Sequence, residues 1–204
     1  MDNSINFNTK TICDGHHMVK YRGVKYIRCP FDYVMYQMII NEIQPDLIIE
    51  VGTNAGGGAL YMADVMDKIG KGVIHTMDIS DYVTSSLVTS HPRIKRFLGG
   101  YQSYDLSNAK GFEKIIVIDD GSHIYEDVKN ALEKFKELPS KNSYFIVEDG
   151  ILDDLGYKDY NGGPLRAIEE FLTTNKNYVI DRKWCDFFGK NATFNVNGYL
   201  QRVR

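Results

Sequence analysis

Two stretches of this 204-residue chain carry residue types able to do chemistry together. The first is Ile115-Ile116-Val117-Ile118-Asp119-Asp120-Gly121-Ser122-His123, an aliphatic run that stops at two acids and then a histidine. The second is Tyr144-Phe145-Ile146-Val147-Glu148-Asp149-Gly150, which stops at another acidic pair. Apolar runs of this kind read as buried strands, and in open α/β sheets ligands bind beyond the carboxyl ends of the strands. On adjacent strands, Asp120, Glu148 and Asp149 would meet at one point and repel unless a cation or protons intervened. Magnesium is the natural occupant, since it prefers oxygen and takes only a few protein carboxylates. Ligand type alone leaves manganese and calcium open, and an acidic rim solvated by water is the plainer alternative. His123 is a candidate general base toward a hydroxyl whose pKa a metal has lowered. His16, His17, His75 and His91 sit in no such cluster and are read as structural.

The elements that must position these groups are legible from periodicity. Tyr36, Ile39, Ile40 and Ile43 predict a helix between Pro30 and Pro45, and Leu47 to Val51 a strand leaving through Gly52-Thr53-Asn54-Ala55-Gly56-Gly57-Gly58. Ala59, Met62, Ala63 and Met66 predict the next helix, broken at Gly70 to Gly72. Strands are expected at Gly72 to Asp78 and Ile94 to Leu98. The two acid-terminated strands come next, separated by a helix through Val128, Ala131, Leu132 and Phe135. A polar, glycine-bounded stretch from Gly150 to Gly163 is read as a mobile loop over the site, or equally as an ordinary surface loop. A helix from Pro164 comes after it. Tyr178 to Trp184 and Thr193 to Val203 are then expected as strands without an intervening helix. The repeated β-α order argues for a parallel sheet with helices on both faces, closed by an antiparallel C-terminal hairpin.

Upstream, residues 1 to about 19 are polar and aperiodic and are read as an arm. Val19 to Arg28 alternates basic and apolar residues, as a hairpin or flap does. It is either a solvated strand face or a basic, aromatic wall against an acidic or sugar-like substrate. Residues 1–29 are thus taken as arm and flap, and 30–204 as one domain.

A formal charge of −3 and a pI near 6.0 supply no field for a polyanion, so nucleic acid and membrane surfaces are excluded as expected partners. A small-molecule or glycan substrate fits better. Three scattered cysteines suggest neither a disulfide framework nor a metal motif. With no apolar leader or spanning segment, a cytoplasmic location is expected. A homo-oligomer is expected, because the arm and flap need cover.

A strand, a glycine-rich turn and a helix start make a nucleotide site. The dinucleotide fingerprint fails, because Asn54 stands where its second glycine belongs, and no phosphate-binding P-loop sequence is present. Glu50-Val51-Gly52-Thr53-Asn54-Ala55-Gly56 instead resembles motif I of class I S-adenosylmethionine-dependent methyltransferases. That cofactor carries a sulfonium and an ammonium, which favour carboxylates nearby, and Asp78 is placed to receive the ribose hydroxyls.

More of the chain carries a resemblance. Pro45 to Thr53, Asp119 to His123, Val147-Glu148-Asp149 and Gly163-Pro164 resemble the cephalosporin hydroxylase and rhamnosyl O-methyltransferase family, and its macrolide-sugar O-methyltransferase relatives. The resemblance implies a Rossmann-like class I methyltransferase fold with a mostly parallel seven-stranded sheet. It implies magnesium on Asp120, Glu148 and Asp149, His123 as base, and methylation of a sugar hydroxyl. The expected cofactor contacts are Glu50, Gly52, Thr53, Asn54, Gly56, Asp78, Gly100, Gln102 and Asp119. Gly100-Tyr101-Gln102-Ser103 resembles a G-D-Q-S turn beside the adenosyl group, with Tyr101 replacing the acid. Some relatives read D-x-D-H and place a metal aspartate where this chain has Ser122. Catechol-type methylation of a small phenol, and a non-catalytic glycan-binding module, are the rival readings.

Overall fold

The computed structural model describes residues 3–204; the first two residues of the expected arm lie outside the described residues. The rest of the arm contains regular structure, contrary to its aperiodic sequence. Thr9–His16 form a helix (α1) whose amino terminus is closed by a capping box between Asn8 and Thr11. Lys20–Tyr21 (β1) and Val24–Lys25 (β2) pair as the expected hairpin. Pro30–Ile43 (α2) begins on a proline, whose fixed φ suits a first helical turn.

The main sheet is built from Leu47–Val51 (β3), Val73–Asp78 (β4), Ile94–Leu98 (β5), Ile115–Asp119 (β6), Tyr144–Val147 (β7), Tyr178–Ile180 (β8) and Tyr199–Arg202 (β9). Its order is β5-β4-β3-β6-β7-β9-β8. All pairs from β5 to β7 are parallel, and β9 runs antiparallel to both β7 and β8. The connecting helices are Gly57–Ile69 (α3), the short Ser86–Thr89 (α4) and Gly100–Ser103 (α5), Tyr125–Phe135 (α6), Gly163–Thr174 (α7) and Arg182–Cys185 (α8). The last of these corrects one expectation. The segment after β8 turns into α8 at an Asp181 cap and stays irregular until β9, so the two C-terminal strands are shorter than the sequence suggested.

Successive strand residues point to opposite faces, and here both faces are buried. Leu47, Ile49, Val117 and Phe145 pack with Val128, Leu132, Phe135 and Ile168 from α6 and α7. Ile48, Ile116, Ile118 and Ile146 pack with Ile39 and Ile40 of α2 and with Met62 and Met66 of α3. This is why the strands read as unbroken aliphatic runs. Strand order reverses between β3 and β6, the switch point at which an α/β sheet opens a crevice. The three cysteines are free and buried, and no helix among the described residues is long and apolar enough to cross a membrane.

Candidate active site

The ladder continues one residue past the strands and fixes the site. Gly52 N–H donates to the Met77 carbonyl at 2.8 Å, Asp120 N–H to Val51 at 2.8 Å, and Glu148 N–H to Asp119 at 2.9 Å. Gly52, Asp120 and Glu148 therefore stand side by side at the ends of β3, β6 and β7. Gly52 has φ +96°, and a side chain there would run into the backbone carbonyl of Asp120. Its glycine is required by the approach of two loops as well as by any ligand.

One ligand atom each from Asp120, His123 and Asp149 lies within 4.8 Å of the others. His123 Nε2 is 3.3 Å from Asp149 Oδ2 and 3.7 Å from Asp120 Oδ1. His123 (φ 59°) and Asp149 (φ 57°) are both left-handed, as is Asn54 (φ 47°) in the glycine loop. Such conformations cost energy in non-glycine residues and gather where function needs them. Glu148 is held apart from this trio. It is 3% exposed, accepts the Tyr36 hydroxyl at 2.5 Å and is ion-paired with Arg28. Ser122 gives its hydroxyl to Asp127 at 2.6 Å and receives the Ile124 N–H. It shapes the entry to α6 and joins no carboxylate of the trio.

Burial pushes Asp120 up to about 6, with Arg28 and His123 pulling it down. It pushes Asp119 up to about 7 and Glu50 up to about 8. Asp120 and Asp149, with Glu148 next to the latter, are hard oxygen donors of the kind a divalent cation takes, and burial is the main cause that holds Asp119, Asp120 and Glu50 above their ordinary range.

Two cavities meet here. The larger, about 450 Å³, is lined by Gly52, Asn54, Asp78, Gly100, Gln102 and Asp119, together with Met77, Ile79 and Tyr101. Asp78 accepts Asn54 N–H at 2.9 Å. Asp119 Oδ2 is buried with no hydrogen-bond partner, a lone acceptor at the wall. The smaller, about 140 Å³, is lined by Glu50, Thr53, Arg28, His16, Glu148 and Asp149, among others. Gly52, Asn54, Asp120 and Gly121 border both. Of the expected cofactor contacts, only Gly56 lines neither cavity. It caps α3 at φ +86° against Val88.

Over residues 15–203 the chain matches the family described as Rhamnosyl O-methyltransferase/CmcI. The chain belongs to that family. It is an S-adenosylmethionine-dependent O-methyltransferase. The rhamnosyl O-methyltransferase of Mycobacterium tuberculosis is 29% identical over 195 residues, covering 89% of this chain and 77% of its own length. A CmcI structure with SAH superposes with a TM-score of 0.73 at 18% identity, over 100% of this chain and 89% of that one. A CmcI structure with Mg and SAM gives 0.70 at 20%, over 92% and 78%. MycE, in complex with Mg, SAH and mycinamycin VI, gives 0.51 at 21%, over 74% of this chain and 45% of MycE. At these identities the structural likeness establishes the fold.

In this O-methyltransferase, sequence reasoning passed over three cavity or support residues. Arg28 and Tyr36 hold carboxylates 92 and 112 positions away, and only the basic, aromatic pattern of the flap hinted at the first. His16, read as structural, lines the smaller cavity from α1. His75 fits its structural reading. It bonds Tyr104 at 2.7 Å, and burial lowers it to about 4. The stretch from Gly150 to Gly163 is tied down at its start by Ile151 and Leu155 against Cys13 and Phe194. Its Tyr160 ring reaches 6.4 Å from that of His123.

Proposed function

We propose that this chain transfers the methyl group of S-adenosylmethionine to a sugar hydroxyl, with magnesium held by Asp120, Glu148 and Asp149 and with His123 as the base. The observation that carries the reading is the convergence of Asp120, Asp149 and His123 where the two cavities meet. The larger cavity accommodates the adenosyl group. Asp78 would receive the ribose hydroxyls, Gly100 and Gln102 would border the adenine, and the unpartnered Asp119 Oδ2 would accept a ligand donor. Gly52 and Asp120, which border both cavities, would flank the reacting end of the cofactor.

The cofactor supplies an electrophilic methyl carbon, and the metal supplies a Lewis acid that orients the acceptor hydroxyl and makes it more acidic. With the cofactor held, the acceptor oxygen would take the methyl carbon as the carbon–sulfur bond breaks, leaving neutral S-adenosylhomocysteine. The hydroxyl proton passes to His123 Nε2. The positive charge on the ring then faces Asp149 and Asp120, which stabilise it. The Tyr160 ring stands 6.4 Å from that of His123, on the approach to the base. The acceptor side is rich in polar and charged groups (Arg28, Glu148, Asp149 and the His16 ring), which supports a polyhydroxyl acceptor over a flat phenol. The family's rhamnosyl-methylating members support the same choice.

Calorimetric titration with S-adenosylmethionine tests the cofactor half. Saturable binding is expected, with Asp78→Ala weakening it by about tenfold or more through loss of a charge-assisted hydrogen bond. Absence of binding at millimolar ligand would overturn the reading.

A further inference from the structure

Two of the three carboxylates assigned to the metal, Asp120 and Glu148, already face a cation of the chain's own. Arg28 lies just past the flap hairpin, and its side chain is 2% exposed. Its Nη2 lies 3.2 Å from Asp120 Oδ2, and its Nη1 is ion-paired with Glu148 Oε1. The guanidinium is 4.6 Å from the Tyr36 ring centroid and 5.0 Å from that of Tyr26. Tyr36 also donates to Glu148, so ring and hydroxyl together fix the pair. A side chain at Gly58 would lie 2.6 Å from Glu50 Oε1 and 3.7 Å from Arg28 Nη2, so the helix start is bare where this group lies. Arg28 Nε is buried without a hydrogen-bond partner. That is the mark of a guanidinium placed for its charge rather than for a complete set of bonds.

Four acids, Glu50, Asp120, Glu148 and Asp149, line the same small cavity. A guanidinium remains charged under all physiological conditions, so it offsets the repulsion among those of them that are ionised, whether or not a metal is bound. It does so by occupying Asp120 Oδ2 and Glu148 Oε1, leaving Asp120 Oδ1 turned toward His123. We propose that Arg28 is a built-in counter-cation that keeps the metal site assembled without metal and, by competing for Asp120 and Glu148, holds divalent-cation affinity down. This rests on the assignment of those acids to a metal.

The test is manganese binding at pH 8, by calorimetry and by the electron paramagnetic resonance signal of free ion. It compares the wild type with Arg28→Gln, Arg28→Lys and Asp149→Asn. Arg28→Gln is expected to bind manganese at least about tenfold more tightly than wild type, since a like charge a few ångströms from the ion is gone. It should also show a larger metal-induced rise in melting temperature. Arg28→Lys, which keeps the charge, should stay within about threefold of wild type. A folded Arg28→Gln protein with unchanged or weaker affinity overturns the proposal, as does an Arg28→Lys affinity equal to that of Arg28→Gln. If Arg28→Gln does not fold without metal, recovery of its near-ultraviolet circular dichroism on adding manganese supports the proposal, and no recovery overturns it. Asp149→Asn separates the two levels. If it leaves manganese binding unchanged, the metal assignment itself is wrong. If it weakens binding while Arg28→Gln fails to strengthen it, only the role of Arg28 is refuted.

Discussion

Replacing Glu50 by glutamine removes one ionisation from the middle of the sheet while keeping its shape. Glu50 is 1% exposed, and its Oε2 accepts the Thr76 hydroxyl at 2.5 Å, a bond the glutamine carbonyl oxygen can still receive. Burial raises its pKa from 4.5 to about 8, against the lowering effects of Thr76 and Arg28. The folded state therefore keeps a proton that the unfolded chain releases. For an acid raised in this way, the stabilisation is complete below about pH 4.5, declines as pH rises toward 8, and is gone above it. One proton at about 1.4 kcal/mol per pH unit gives a ceiling of roughly 4 kcal/mol between pH 5 and 8. Relaxation and water entry bring the expected difference to about 2 kcal/mol. Urea unfolding measures it directly. Glu50→Gln should match wild type within about 0.5 kcal/mol at pH 5 and exceed it by about 2 kcal/mol at pH 8.5. A variant destabilised by the same amount at both pH values would refute this reasoning, because packing rather than ionisation would then govern the site.

Two further substitutions bear on chemistry and on architecture. His123→Ala should lower kcat by about 10²- to 10⁴-fold with cofactor affinity nearly intact, as removal of a general base does; a wild-type rate would take the histidine out of the mechanism. Gly52→Ala should cost about 3 kcal/mol or more in denaturant unfolding, because the residue is held at φ +96° and its new Cβ meets the Asp120 carbonyl; a neutral result would show that the two loops separate freely.

The parts of this molecule written as local pattern could be read from sequence. Ile115 to Ile118 and Tyr144 to Val147 are unbroken apolar runs because these strands are covered on both faces, and the acids that follow them marked the candidate site. The hairpin, α2 and α3 carried their own turn, proline and glycine signals. What escaped was long-range or side-chain directed. Nothing near Arg28 or Tyr36 in sequence announces Glu148, since that pairing exists only once α2 packs against the sheet. Nor does the order Glu148-Asp149 say that the first acid turns toward Arg28 and the second toward His123. Thr9 to His16 lacked an apolar stripe, so its helix was hidden. There the signal was the Asn8-x-x-Thr11 capping pair. Gly56, expected in the ligand loop, also starts α3, a role its position in the sequence did not announce. The irregular path after Asp181 was likewise concealed by β-prone residues at Tyr178 to Ile180, whose strand is cut short by a helix cap.

The proposed metal-assisted methylation of a sugar hydroxyl, with the converged acids and His123 as its machinery, is open to direct measurement. Methyl transfer from labelled S-adenosylmethionine is followed on a panel of rhamnosyl and other glycosides, with the product located on the acceptor by mass spectrometry. It is run with magnesium, with a chelator, and with magnesium restored. The expected result is labelled O-methyl sugar that disappears with the chelator and returns with magnesium. Transfer to a sugar at full rate in the chelator, or transfer confined to phenols, would be incompatible with the proposed chemistry.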